Sequence, residues 1–285
     1  MVERLSSVDE VVEVINPSGV GDFVLVCEHA VNTIPSMLDN LGLGDNALES
    51  HIAWDPGAYP VAKIMSEKLN APLIAPRVSR LVYDCNRDST AESAVPEKSE
   101  AYEIPGNKGL GADERKARAD RYYVPFHDAV TGVIEQRTGE GRTPVIMTIH
   151  SFAPVYDGKS RDLDMGVIHD TDARYADAFL AAVGTDRGLK VLRNAPYDAS
   201  DGVTHTLKEH ALTRGLLNVM IEIRNDLIET DEGHLEMAER LVDFATVALS
   251  AILDDTCSKT EINPICLDTV NRENAASGPL KAGTG

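Results

Sequence analysis

Short apolar runs separated by longer stretches of helical spacing are the feature that most constrains this chain. Phe23–Val26, Pro72–Ala75, Leu81–Tyr83, Pro144–Ile149, Met165–Ile168, Val191–Leu192 and Val219–Ile223 read as strands. Between them Pro60–Leu69, Ala112–Gln136, Arg174–Val183 and Leu235–Leu253 carry helical periodicity. Such alternation predicts an α/β fold, three-layer α/β/α with a central, mostly parallel or mixed sheet. A single domain is expected over residues 22–255, after a polar N-terminal extension (1–21) and before a weakly structured tail (256–285). Residues 89–110 lack periodicity and read as a long loop of the kind that covers substrates.

The charge balance narrows the partners. The chain holds 46 acidic against 27 basic side chains, a formal charge of −19, so polyanions and anionic bilayers are repelled. Neither nucleic acid nor membrane is therefore an expected partner. No apolar run approaches the roughly 18 residues of a membrane helix, and residues 1–21 lack an export signal. Cys27, Cys85, Cys257 and Cys266 form no CxxC pair, which predicts reduced thiols and a cytoplasmic setting.

In α/β sheets functional groups gather beyond the carboxyl ends of the strands. Here those ends carry Cys27-Glu28-His29, Asp84-Cys85-Asn86-Arg87, His150-Ser151 and Glu222-Ile223-Arg224, while Asp55 opens a helix. Two histidines and one carboxylate are the donor set of a catalytic zinc site, and a further carboxylate serves such a site as general base. His29, Asp55 and His150 suit the ligand roles and Glu222 the base, with His169 as a reserve ligand. Each also has a plainer reading: Asp55 as a helix N-cap, Glu222 as a carboxylate held by an arginine such as Arg224, His150 as a loop histidine bonded to backbone. Manganese, iron or cobalt would also accept these donors. Arg80 and Arg87, with Asn86, suit a clamp for an anionic substrate, whereas Arg77 reads as neutralising neighbouring acids. His205 either orients substrate or belongs to an ordinary connection. His51, His127, His210 and His234 read as partly exposed surface histidines.

Five motifs in order, Val26-Cys27-Glu28-His29-Ala30, His51-Ile52-Ala53-Trp54-Asp55-Pro56-Gly57-Ala58, Ser79-Arg80-Leu81-Val82-Tyr83-Asp84-Cys85-Asn86-Arg87, Ile149-His150-Ser151-Phe152 and Ile221-Glu222-Ile223-Arg224-Asn225, resemble the N-formylglutamate amidohydrolase family. The resemblance covers about Val24 to Leu253. It implies a zinc carboxypeptidase-like (phosphorylase/hydrolase-like) sheet between helical layers. It also implies hydrolysis of N-formyl-L-glutamate to formate and L-glutamate, a step of amino-acid catabolism. Zinc at His29, Asp55 and His150 and a base at Glu222 follow from it, with Asn86, Arg87, Arg80 or Arg224 on the substrate's carboxylates. Asn32 stands where many relatives carry a zinc-binding glutamate, and the resemblance gives the acidic ligand's role to Asp55 by analogy with relatives whose acidic ligand starts the following helix. Glu28 and Val31 also depart from the histidine-degrading members. Another N-acyl amino acid, a short peptide or a cell-wall amide is the alternative substrate, and a non-catalytic acidic binding protein the alternative class.

Overall fold

Seven strands form the central sheet of the computed structural model, which describes residues 11–184 and 188–259. They are β1 (Val12–Ile15), β2 (Phe23–Val26), β3 (Leu73–Pro76), β4 (Val145–Phe152), β5 (Met165–Ile168), β6 (Val191–Arg193) and β7 (Asn218–Arg224). Their spatial order is β1-β3-β2-β4-β7-β5-β6. The inner four, β3-β2-β4-β7, run parallel, while β1 on β3 and β5 on β7 are antiparallel. The sheet is thus mixed, as expected, and its parallel centre is buried on both faces.

Alternation along the strands assigns the two faces. Phe23, Leu25, Leu73, Met147 and Ile221 pack beneath helices α1 (Ala58–Lys68), α3 (Arg174–Val183) and α4 (Asp231–Lys259). Val24, Val26, Ile74, Ile146 and Met220 point the other way, against α2 (Val124–Gly139) and the buried loop after β3. α2 continues Ala112–Arg118 through one π-turn, Ala119–Tyr123. Pro125 lacks an N–H to continue regular helical bonding, so the wider turn just before it has a local cause.

Several elements differ from the sequence reading. Val12–Ile15, inside the expected N-terminal extension, is an edge strand; four residues interrupted by Glu13 give too short an alternation to stand out. Leu81–Tyr83 is a buried turn rather than a strand, because the Ser79 hydroxyl accepts from the Leu81 N–H and the Ser79 carbonyl from the Val82 N–H. Two short hairpins, Lys98–Ser99 with Tyr102–Glu103 and Val155–Tyr156 with Lys159–Ser160, project from the loops. α4 runs to Lys259, past the expected domain end, and residues 260–285 of the expected tail lie outside the described residues. Among the described residues no helix is long and apolar enough to cross a membrane.

Candidate active site

The parallel centre of the sheet brings its acid and imidazole groups to one edge. β2 leads directly into Glu28 and His29, His150 is near the end of β4, and Glu222 lies beside it in register on β7. Asp55 is drawn in from the loop before α1, its backbone N–H donating to the His29 carbonyl at 3.0 Å. Gly57 makes this entry possible: its φ is +80°, and a Cβ there would lie 2.2 Å from the Ile228 carbonyl oxygen.

Both imidazoles place Nδ1 on one oxygen, Asp55 Oδ2, at 3.2 Å from His29 and 2.8 Å from His150. The outer nitrogens meet carboxylates too. His29 Nε2 donates to Asp84 Oδ1 at 2.8 Å, and His150 Nε2 lies 3.0 Å from Glu28 Oε2. Asp55 is therefore no N-cap; its carboxylate also takes Arg80 Nη1 at 3.4 Å. One donor atom from each of His29, Asp55 and His150 lies within 4.8 Å of the others. A dication fits this donor set on an observed detail. The Asp84 carboxylate meets His29 Nε2 and the Glu28 carboxylate stands 3.0 Å from His150 Nε2, so an acid lies beside each outer nitrogen and a dication would take the place of the Nδ1 protons that face Asp55.

Taking these ions out of water costs several kcal/mol each, so only the network makes them tolerable. Burial opposes ionisation of Asp55, yet His29 and His150 hold its carboxyl far below the usual carboxylate range. Asp84 behaves alike: burial works against the charge, and His29, then Arg80, hold it well below its ordinary value. Burial would also lower His150, but Glu28 and Asp55 raise it well above an ordinary imidazole. Glu222 is the exception. Burial pushes its carboxyl up to about 7, and its Oε2 is buried without a hydrogen-bond partner among the described residues.

His29, Asp55, Asp84, His150 and Glu222 line a cleft of about 630 Å³, with Glu28 buried behind it. Arg80, Asn86 and Arg87 are also in its wall, each already engaged. Arg80 Nη2 donates to Asp84 at 2.9 Å, and Arg87 Nη1 donates to the Gly202 carbonyl at 2.8 Å. Asn86 spans to the 203–206 loop, donating to the Val203 carbonyl at 2.6 Å and accepting from the Thr206 N–H at 3.0 Å. Two expected substrate contacts lie elsewhere. Arg224, two residues beyond Glu222 on the strand, is taken by Asp164 at 2.9 Å and Asp226 at 2.7 Å and is outside the cleft wall. His205 is buried against the Tyr123 hydroxyl at 2.8 Å and does not line the cleft. The reserve ligand His169 closes β5, which is antiparallel to β7, so it stands at the opposite sheet edge beside Arg193.

Glu28 and Asp84 escaped the sequence reading in these roles, since nothing local says which imidazole a carboxylate will meet. Tyr197 and Arg161 in the cleft wall were missed as well. A legible signal existed for Arg161: Asp157-Gly158, both at positive φ, form the two-residue hairpin turn that sets it over the cleft.

The N-formylglutamate amidohydrolase family model matches residues 21–229, most of the chain. The chain belongs to the N-formylglutamate amidohydrolase family. A solved structure of gene product Atu2144 from Agrobacterium tumefaciens is 51% identical, with a TM-score of 0.84 over 87% of this chain and 99% of that one. The N-formylglutamate amidohydrolase of Ralstonia eutropha JMP134 is 18% identical, with a TM-score of 0.58 over 84% and 97%, and so shares the fold. No curated protein matches. The family is one of hydrolases, so the acid and imidazole edge belongs to an amidohydrolase fold.

Proposed function

We propose that this amidohydrolase uses a divalent metal, zinc by choice of donors, to cleave the amide of a small N-acyl amino acid. N-formyl-L-glutamate is the named substrate, giving formate and L-glutamate. The observation that carries the reading is the convergence of two Nδ1 atoms on Asp55 beside the unpartnered Glu222 oxygen. His29, Asp55 and His150 would hold the ion. When bound, such an ion supplies Lewis acidity to the amide carbonyl and to water.

The protein's own groups do the rest. Glu222 Oε2 accepts a proton from the attacking water and returns it to the leaving amine nitrogen. Asp84 accepts the outer proton of His29 and orients that ring, while the Glu28 carboxylate, 3.0 Å from His150 Nε2, draws the His150 proton to that nitrogen by charge. Arg80 pairs with both Asp84 and Asp55 and, after His29, helps keep Asp84 ionised. Buried Cys27 and Cys85, neither in a disulfide, suit a reducing cytoplasm. A screen of N-formyl, N-acetyl and dipeptide amides on metal-replete protein tests the reading. Formate release from N-formyl-L-glutamate at the highest kcat/KM supports it; preference for a dipeptide or an N-acetyl amide would move the substrate class, and no turnover with any would overturn it.

A further inference from the structure

Four arginine or lysine side chains line the cleft: Arg80, Arg87, Lys98 and Arg161. Three of them have an acid of this chain within 4.0 Å: Arg80 has Asp84 and Asp55, Arg87 has Asp84, and Lys98 has Glu103. Arg161 has none among the described residues. Arg118 and Arg137 also lack an acid but donate to backbone carbonyls at 2.8–3.2 Å, so Arg161, in the cleft wall, needs a separate reason.

Its surroundings supply one. The Arg161 guanidinium carbon lies 4.5 Å from the Tyr156 ring centroid, 4.8 Å from Tyr197 and 5.6 Å from Phe152. Stacking engages the flat faces of a guanidinium and leaves its edge donors available. Of those donors, one reaches the Ala153 carbonyl at a long 3.5 Å, and Tyr197 is a second partner. Tyr197 also ties this cage to the reacting edge. Burial, then the Glu222 carboxylate, pushes its phenol up to about 12, so it stays a neutral wall between Arg161 and the catalytic groups. Phe152 ends β4, and Tyr156 and Arg161 stand on the hairpin that follows it. That hairpin leaves β4 directly after His150-Ser151-Phe152, and the Arg161 N–H donates to the Pro154 carbonyl at 2.8 Å.

We propose that Arg161, held in the Phe152–Tyr156–Tyr197 cage, is the residue that binds a carboxylate of the substrate and sets the preference for acidic N-acyl amino acids. The inference rests on the cleft being an N-acyl amino acid site. It transfers to Arg161 the contact that Arg224 is too far removed to make, and that Arg80 and Arg87 make only by giving up existing partners.

The test is calorimetric binding to metal-replete Glu222→Gln protein, with and without R161M, whose side chain still fills the cage. The ligands are N-formyl-L-glutamate, N-formyl-L-glutamine and the α-amide of N-formyl-L-glutamate. Loss of a charge-assisted fork predicts Kd for N-formyl-L-glutamate to rise roughly 10- to 100-fold. The same substitution should change Kd less than about 3-fold for whichever amide lacks the carboxylate that Arg161 holds. That amide names the α or side-chain carboxylate. An equal loss on all three ligands, no loss on any, or no binding before Arg161 is changed would each overturn the proposal. R161Q repeats the comparison should R161M melt early. Hydrolysis by the unaltered protein is scored separately. The binding pattern without any amide cleavage would sink the amidohydrolase reading and leave Arg161 standing.

Discussion

The chain buries two histidine clusters, and they are built in opposite ways. At the cleft, His29 and His150 each meet carboxylates at both ring nitrogens. Beneath α2, His127 and His210 meet each other, Nδ1 to Nε2 at 2.6 Å, with His127 Nε2 donating to the Cys85 carbonyl at 2.9 Å. That donation fixes the tautomers: His210 Nε2–H must donate to His127 Nδ1. Acids raise His150 well above an ordinary imidazole, whereas burial lowers His127 to about 4 and His210 to about 3. One cluster is a charged network with convergent donor atoms and an open wall. The other is neutral, internally satisfied and closed. Burial is common to both clusters; what separates them is the partner on each second ring nitrogen.

The largest effect should separate the clusters outright. Asp55→Ala or His150→Ala is expected to lose bound metal and to cut kcat/KM by roughly 10³-fold or more. His127→Gln should keep stoichiometric metal and most activity. Metal analysis alongside formate release reads both, and equal losses at both clusters would erase the distinction.

Gly166 probes the wall that supports Glu222. It pairs with Glu222 across β5 and β7, and a Cβ there would lie 1.9 Å from the Ala195 carbonyl oxygen. Gly166→Ala must displace the strand that leads to Pro196 and Tyr197. We expect about a tenfold fall in kcat/KM with about 1–3 kcal/mol of lost stability. Unchanged kinetics and melting would show the loop to be free of the site.

Much of this was legible in the sequence, and the boundary has physical causes. The parallel centre announced itself because strands buried on both faces read as apolar runs, and strand-end residues His29, His150 and Glu222 followed from that. Direction was not legible: an antiparallel β5 sends His169 to the wrong edge, and no local pattern distinguishes the two orientations. Helical context made His127 and His210 look like surface residues, since α2 has a second apolar stripe only once the 204–211 segment packs on it. Arg224 stands outside the cleft wall, paired with Asp164, 60 positions away, a partner that no local pattern announces.

Smaller effects sharpen the neutral cluster. His127 and His210 have folded-state values below the ordinary 6.5, with His205, Glu28 and Arg214 as the charged or titratable neighbours. The unfolded chain therefore takes up protons first as pH falls. The stability they supply is complete above about 6.5 and lost as pH drops towards 4. The wild type should lose about 1–3 kcal/mol more than His127→Gln over that window, by denaturant unfolding. A parallel pH profile would assign the cluster no linkage. Smallest of all, Arg224→Gln should change kcat/KM less than about 3-fold and stability by about 1 kcal/mol or less, as for a surface pair. A large rise in KM would restore it to the site.

The central claim is that Glu222 acts as the base beside a metal it does not hold. Its most direct test is metal content and formate release of Glu222→Gln measured on one preparation. The account predicts close to one equivalent of metal, as in the wild type, with hydrolysis of N-formyl-L-glutamate reduced by roughly 10²- to 10⁴-fold. Near-wild-type turnover, or loss of the metal with the activity, would contradict it.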